Sequence, residues 1–140
     1  MEMDDAERIK DRADELDAGD PLRRMAAYRL ALELVSVAWT DAERVRSHPT
    51  TAFIASQLYR AASSIGANIA EGYSRSSGKD RVRLFEYALG SARECRFWYH
   101  SARFVLDARE YEQRSFILTR ICKILLVAIP RERGREIRKA

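Results

Sequence analysis

The sequence predicts an all-α fold: an antiparallel up-and-down four-helix bundle preceded by an acidic N-terminal arm. Three observations predict it. Apolar residues recur at spacings of three and four in four separate stretches, the period of an amphipathic helix. Gly and Pro number six and three in 140 residues, too few for a loop-rich β protein, and the Ala/Leu/Arg/Glu-rich stretches between them favour helix. The breaks between stretches are short, so successive helices should lie side by side and antiparallel. The length suits one domain with its own core. A content of 46% hydrophobic and 33% charged residues excludes a disordered chain.

Residues 1–20 form the arm, and residues 21–137 the bundle. The arm holds Arg8, Lys10 and Arg12 against nine acidic residues, a net −6. Ile9, Ala13 and Leu16 are its only helical stripe, which allows one loose helix. Asp20-Pro21 then suits a helix start, with Asp as cap and Pro as first helical residue. The first bundle helix is expected from about 21 to 46. Met25, Tyr28, Leu32, Val35 and Trp39 form its face, and Ala27, Ala31, Leu34 and Ala38 widen it. Ser47-His48-Pro49 ends it. The second helix is expected from about 50 to 74, on Ile54, Leu58, Ala61, Ile65, Ile69 and Gly72. Its Ala61–Ala67 segment is nearly all small. Gly66, which costs about 1 kcal/mol relative to Ala inside a helix, predicts a close backbone neighbour.

Ser77 and Asp80 resemble a capping box and start the third helix at about 78. Phe85, Ala88, Ala92, Cys95, Tyr99, Ala102 and Leu106 are its core stripe. Gly90-Ser91-Ala92 is the expected neighbour of Gly66, which makes helices two and three the closest pair. Asp107 with Glu110 repeats the cap and opens the fourth helix, about 108 to 129. Tyr111, Leu118, Cys122, Leu125 and Ile129 line one side of it, and Ile117, Ile121 and Ile124 an adjacent side. A band that wide predicts burial on more than one side, hence an oligomer. Pro130 is expected to kink or end the helix, leaving a charged tail from Arg131 to Ala140.

Several functional classes are excluded or disfavoured. The longest unbroken apolar run is Ile124–Ile129, against about 20 residues for a membrane span. The acidic start is unlike a secretory signal. Cys95 and Cys122 lie on apolar faces and read as small core residues in a reducing compartment, so a cytoplasmic location is expected. The 120 residues after the arm carry 22 basic and 12 acidic side chains, a net +10, which fits an anionic partner. Gly72 to Gly78-Lys79 misses a phosphate loop: the spacing is one residue too long, Asp80 stands where Ser or Thr is needed, and no strand precedes it. A di-metal site needs Glu-x-x-His pairs, but Phe97 stands three residues before His100. Cys95 and His100 sit about 140° apart around a helix, so they make no nucleophilic pair. No catalytic residue, metal or cofactor is expected.

Two polar rows border the apolar faces. Gln57, Ser64, Asn68, Glu71 and Arg75 share a stripe on helix two, and Tyr87, Ser91, Glu94 and Trp98 one on helix three. If the rows meet, their buried groups need partners. The alternatives are an inter-helix or inter-subunit network around Gln57, Asn68, Glu71, Ser91 and Glu94, a ligand groove, or a Glu71–Glu94 carboxylate pair. Two basic clusters stand apart from these rows. Arg75, Lys79, Arg81 and Arg83 lie at the turn between helices two and three. Arg131, Arg133, Arg135, Arg138 and Lys139 lie in the tail. Such residues contact phosphates and release counterions, and Tyr73 beside them offers a ring for base stacking. A solvated basic surface is the plainer reading, since no base-reading motif is present.

The segments Gln57-Leu58-Tyr59-Arg60-Ala61-Ala62 and Ser64-Ile65-Gly66-Ala67-Asn68-Ile69-Ala70-Glu71-Gly72, followed by Phe85–Ala88, Gly90-Ser91 and Glu94, resemble the 23S ribosomal RNA intervening-sequence family. The resemblance covers most of residues 25–129. It implies an up-and-down bundle, a ring-like homopentamer and no established enzymatic activity. Members are encoded in insertions in ribosomal RNA genes and elsewhere in bacterial genomes. More distant relatives are the accessory proteins of diversity-generating retroelements, which bind nucleic acid and a reverse transcriptase. This chain departs from the family pattern at Pro49-Thr50-Thr51-Ala52, where an acidic residue often follows the Pro. The expected function is therefore a non-enzymatic, oligomeric bundle associating with structured RNA or another nucleic acid. The alternative is a protein-interaction scaffold with no direct nucleic-acid contact.

Overall fold

A computed structural model describes residues 4–133; Arg135 and the rest of the tail lie outside the described residues. Five α-helices and no strand occur among the described residues: α1 (Asp5–Asp17), α2 (Ala26–Ser47), α3 (Ile54–Tyr73), α4 (Gly78–Ser101) and α5 (Ala108–Glu132). Short 3₁₀ turns at Pro21–Arg24 and Arg103–Val105 precede α2 and α5. The arm is thus itself a helix, tied at its base by Arg23, which ion-pairs with Asp14 at 3.1 Å and with Asp17.

Local chemistry sets the boundaries. Asp20 caps the 3₁₀ turn by accepting from the Leu22 N–H at 2.9 Å. That turn tucks Leu22 into the core and leaves Met25 extended, so α2 begins at Ala26 rather than at Pro21. Thr51 ends α2 by donating its hydroxyl to the Val45 carbonyl at 2.8 Å. The Thr51 carbonyl accepts from the Ile54 N–H at 2.8 Å, and α3 begins at Ile54. Ser77 accepts from Asp80 N–H at 3.2 Å. Asp107 and Glu110 form a complete reciprocal capping box at 2.8 and 3.1 Å. α5 runs through Pro130 to Glu132, so the proline neither ends the helix nor frees the residues just after it.

The most extensive packing is between α3 and α4, followed by α2 with α3 and α4 with α5; α2 with α5 is lighter. In each pair the partner numbers fall as the helix numbers rise. Leu58, Ser64 and Gly72 meet Cys95, Ser91 and Phe85, and Asp41 and Arg44 meet Arg114 and Glu110.

Three expectations about the core need correction. The buried stripe of α2 is Ala27, Ala31, Leu34, Ala38, Ala42 and Val45, whereas Trp39 is 59% exposed. Small residues win the interface because they let α3 approach, while the large ones flank it. Gly66 faces α2, where an added Cβ would lie 3.5 Å from the Ala31 Cβ, and a Cβ added at Gly90 would meet open space. The α3–α4 contact tightens instead at Gly72, where an added Cβ would lie 2.8 Å from the Phe85 ring. Finally, Ile117 and Ile121 are buried within the chain itself. The apolar excess of α5 therefore shrinks to Phe116, Leu126, Val127 and the half-buried Ile124.

Candidate nucleic-acid interface

The turn between α3 and α4 and the end of α5 come together at one end of the molecule. Arg81 makes the join. Its guanidinium is 3.2 Å from the Glu132 carboxylate. It also donates to the carbonyls of Tyr73 at 2.8 Å and Arg75 at 3.3 Å, and it lies over the Tyr73 ring at 5.4 Å. With 15% of its side chain exposed, Arg81 holds the end together and its charge faces inward. Arg75, Lys79, Arg83, Arg131 and Arg133 are exposed around it. Three of these carry surface partners: Arg75 with Glu71 at 2.5 Å, Arg83 with Asp80 at 3.8 Å and Arg133 with Glu86 at 3.1 Å. Such pairs contribute little and can exchange a carboxylate for a phosphate. Lys79 and Arg131 make no ion pair among the described residues.

The basic surface continues along the outer side of α4 and α5. Helical spacing sets Lys79, Glu86 and Arg93 in one row of α4, with Arg83, Gly90 and Phe97 beside them. Arg93 and Arg96 lie on the side of α4 near Cys122 of α5, whereas Arg120 and Lys123 are turned about 160° and 100° from Cys122 around α5. Arg120 also sits over the exposed Phe116 ring at 5.8 Å. Arg93, Arg96, Arg120 and Lys123 did not stand out in the sequence, because they are dispersed through two helices. Helical period alone would have aligned Lys79, Arg83 and Arg93.

The polar rows meet at one point. Ser91 donates to the Ser64 hydroxyl at 3.0 Å, and Asn68 donates to the Ser64 hydroxyl and carbonyl at 3.0 and 2.9 Å. Gln57 is half-buried on the same helix. Glu71 and Glu94 are exposed and engaged within their own helices, by Arg75 and by the Trp98 indole N–H at 3.2 Å. From the α3–α4 register their levels differ by about ten residues, about 15 Å of helix rise, so they form no carboxylate pair.

A second polar group, unforeseen in the sequence, sits near the opposite end. Asp41 has no exposed surface. It accepts from the Tyr99 hydroxyl at 2.7 Å and from Arg114 at 2.8 and 3.0 Å. Burial, then the Asp41 charge, pushes the Tyr99 phenol up. Arg44 donates to Glu110 at 2.6 Å and to the Val105 carbonyl at 2.8 Å. Arg44, then the Asp107 N–H, holds the Glu110 carboxyl down at about 2. These groups are fully partnered and clamp α2 onto the α4–α5 connection. Cys95 and Cys122 are buried free thiols, and burial raises both pKa values, which disfavours the thiolate a nucleophile needs. No group of three or more His, Cys, Asp or Glu side chains among the described residues could hold a metal ion. No described helix is long and apolar enough to cross a membrane. A groove of ≈ 310 Å³ opens between α2 and α3, lined in part by Trp39, Tyr59, Arg46 and Arg60.

The fold and the sequence place the chain among known proteins. No curated protein matches it. A crystal structure of a protein of unknown function from the S23 ribosomal protein family of Bacteroides thetaiotaomicron superposes with a TM-score of 0.69. The two are 24% identical, over 74% of this chain and 98% of that one. The profile of the 23S rRNA-intervening sequence proteins matches residues 23–126, from the 3₁₀ turn before α2 to the late part of α5. By that match the chain belongs to the 23S rRNA-intervening sequence protein family.

Proposed function

We propose that this chain is a non-enzymatic, cytoplasmic RNA-associating protein, in which α2–α5 form an antiparallel up-and-down four-helix bundle and several bundles assemble into a homopentamer. The falling register of every packed helix pair supports the bundle. The observation that carries the RNA reading is the outer α4–α5 face. On that side Lys79, Arg83 and Arg93 are exposed on α4 and Arg120, Lys123 and Arg131 on α5, with Phe97 and Phe116 exposed beside them. Cations contact phosphates, and exposed rings offer stacking platforms for unpaired bases. Arg75 and Arg133 extend the surface at the end, and Arg81 positions it. Repetition around a ring multiplies individually weak contacts. The family's naming for 23S rRNA agrees with this surface. Filter binding of a structured RNA across a salt series tests it. Binding at about 50 mM salt that falls steeply as salt rises is expected, and salt-independent retention would contradict it.

A protein-interaction scaffold is the second reading, favoured by the Trp39–Tyr59 groove. There the two rings meet edge-on at 5.5 Å, with Trp39 largely exposed. It predicts a protein partner that nuclease treatment leaves attached and that Trp39→Ala releases.

A further inference from the structure

We infer that the acidic helix α1 of one copy docks on the outer groove of α5 of a second copy. The groove measures ≈ 420 Å³ and is lined by Lys123, Ile124, Val127, Ala128 and Arg131. Its floor is apolar: Val127 is 53% exposed and Ile124 is half-buried. Cations stand at both ends, with Arg120 a turn before, and no lining residue is acidic.

The arm is the complement of this groove in charge and in length. Residues 1–20 carry a net −6, Arg8, Lys10 and Arg12 included. Ile9 and Leu16 sit two turns apart on one side of α1, about 10 Å along its axis. Lys123 and Arg131 span about 12 Å of α5, so the arm's apolar pair fits between the two cations, over the shorter floor of Ile124, Val127 and Ala128. Ile9 and Leu16 are 71% and 75% exposed, so the apolar side of α1 is open to a partner.

The chain's own α5 does not supply that partner. Asp14 and Asp17 tie the base of α1 to Arg23. Asp14 lines a shallow cleft with Leu32, Ser36 and Val37 on α2, so the arm leaves the bundle over α2 with its apolar side uncovered. The tie and the groove nevertheless lie at the same end of the molecule, where α2 starts and α5 finishes. The docking needs protein alone, but it covers Lys123 and Arg131, which the RNA reading also uses, so the two are measured separately.

Engineered thiols test it, because Cys95 and Cys122 are buried. Leu16→Cys and Val127→Cys proteins are mixed at equal concentration under mild oxidation and run on a non-reducing gel. A two-chain product is expected, and adding Lys123→Glu and Arg131→Glu to the Val127→Cys chain should reduce it at least tenfold. Phe104→Cys, at the far end of the molecule, serves as the collision control in place of Val127→Cys. A yield no higher than this control overturns the proposal. So does a Leu16→Cys/Val127→Cys double variant that closes within a single chain as its main product. RNA filter binding of the unmodified protein is measured in parallel, so that loss of one result leaves the other readable.

Discussion

A carboxylate with no exposed surface has to be matched, and Asp41 is matched by three hydrogen bonds from Tyr99 and Arg114. Removing one partner of a buried ion pair leaves the other charge uncompensated. Asp41→Ala should therefore destabilise the fold by roughly 3–5 kcal/mol, against about 1.5–3 kcal/mol for Tyr99→Phe, which deletes one bond to a charged group. Urea unfolding reads both, and an Asp41→Ala cost no larger than that of Tyr99→Phe would contradict the network. Glu110 adds a pH dependence. Its folded pKa lies below the ordinary value of 4.5, at about 2. The stability it contributes is thus complete above pH 4.5 and is lost as pH falls toward 2. Glu110→Gln should flatten the acid limb of the stability profile in that window and leave the neutral-to-basic limb unchanged. Asp41 was not singled out in the sequence, although its spacing from Leu34, Ala38 and Val45 puts it on the buried stripe, because an acid there has no partner within its own helix. Only the arrival of Arg114 from another helix turns it into a core residue. The cysteines were legible, since apolar neighbours at helical spacing surround both.

At the scale of the element, helical periodicity located α2 to α5 and the caps located their starts where the cap chemistry is local. Asp107/Glu110 and Ser77 act within four residues of themselves, so they can be recognised without the fold. The beginning of α2 was less legible, because Leu22 is drawn into the core and converts the first turn to 3₁₀ geometry. Which side of α2 would face inward was likewise undecided by periodicity. A stripe ending in Trp39 and a stripe of alanines are both helical faces, and the choice falls to whichever allows α3 to come close. The glycines follow the same logic. Gly72 is the point of closest approach, so Gly72→Ala forces its Cβ against the buried Phe85 ring and should cost about 1–3 kcal/mol. Gly90 faces open space in a helix interior, so Gly90→Ala should gain about 0.5–1 kcal/mol. Thermal melts of the pair test this, and equal shifts would contradict the packing described here. The polar rows were visible as rows, but only Ser64, Asn68 and Ser91 come into hydrogen-bonding contact across or beside the α3–α4 interface.

For the whole molecule, charge asymmetry was the legible part. An arm of −6 and a remainder of +10 can be counted along the chain, whereas which of the basic side chains of α4 and α5 stay exposed is settled only when the two helices pack. The exposed Phe97, Phe104 and Phe116 are more apolar surface than a lone bundle needs to show. Light scattering at micromolar concentration should return five times the chain mass of 16.1 kDa, and a monomer would contradict the assembly. The central claim is that the outer α4–α5 face holds RNA. Its most direct test is the salt slope of RNA binding for the native protein and for Arg93→Glu/Lys123→Glu, two exposed residues outside the buried networks. If both contact phosphate, the variant should bind more weakly to every structured RNA tried, with a log–log slope shallower by about 2. An unchanged slope and affinity, with the helical fold retained by circular dichroism, would contradict the account.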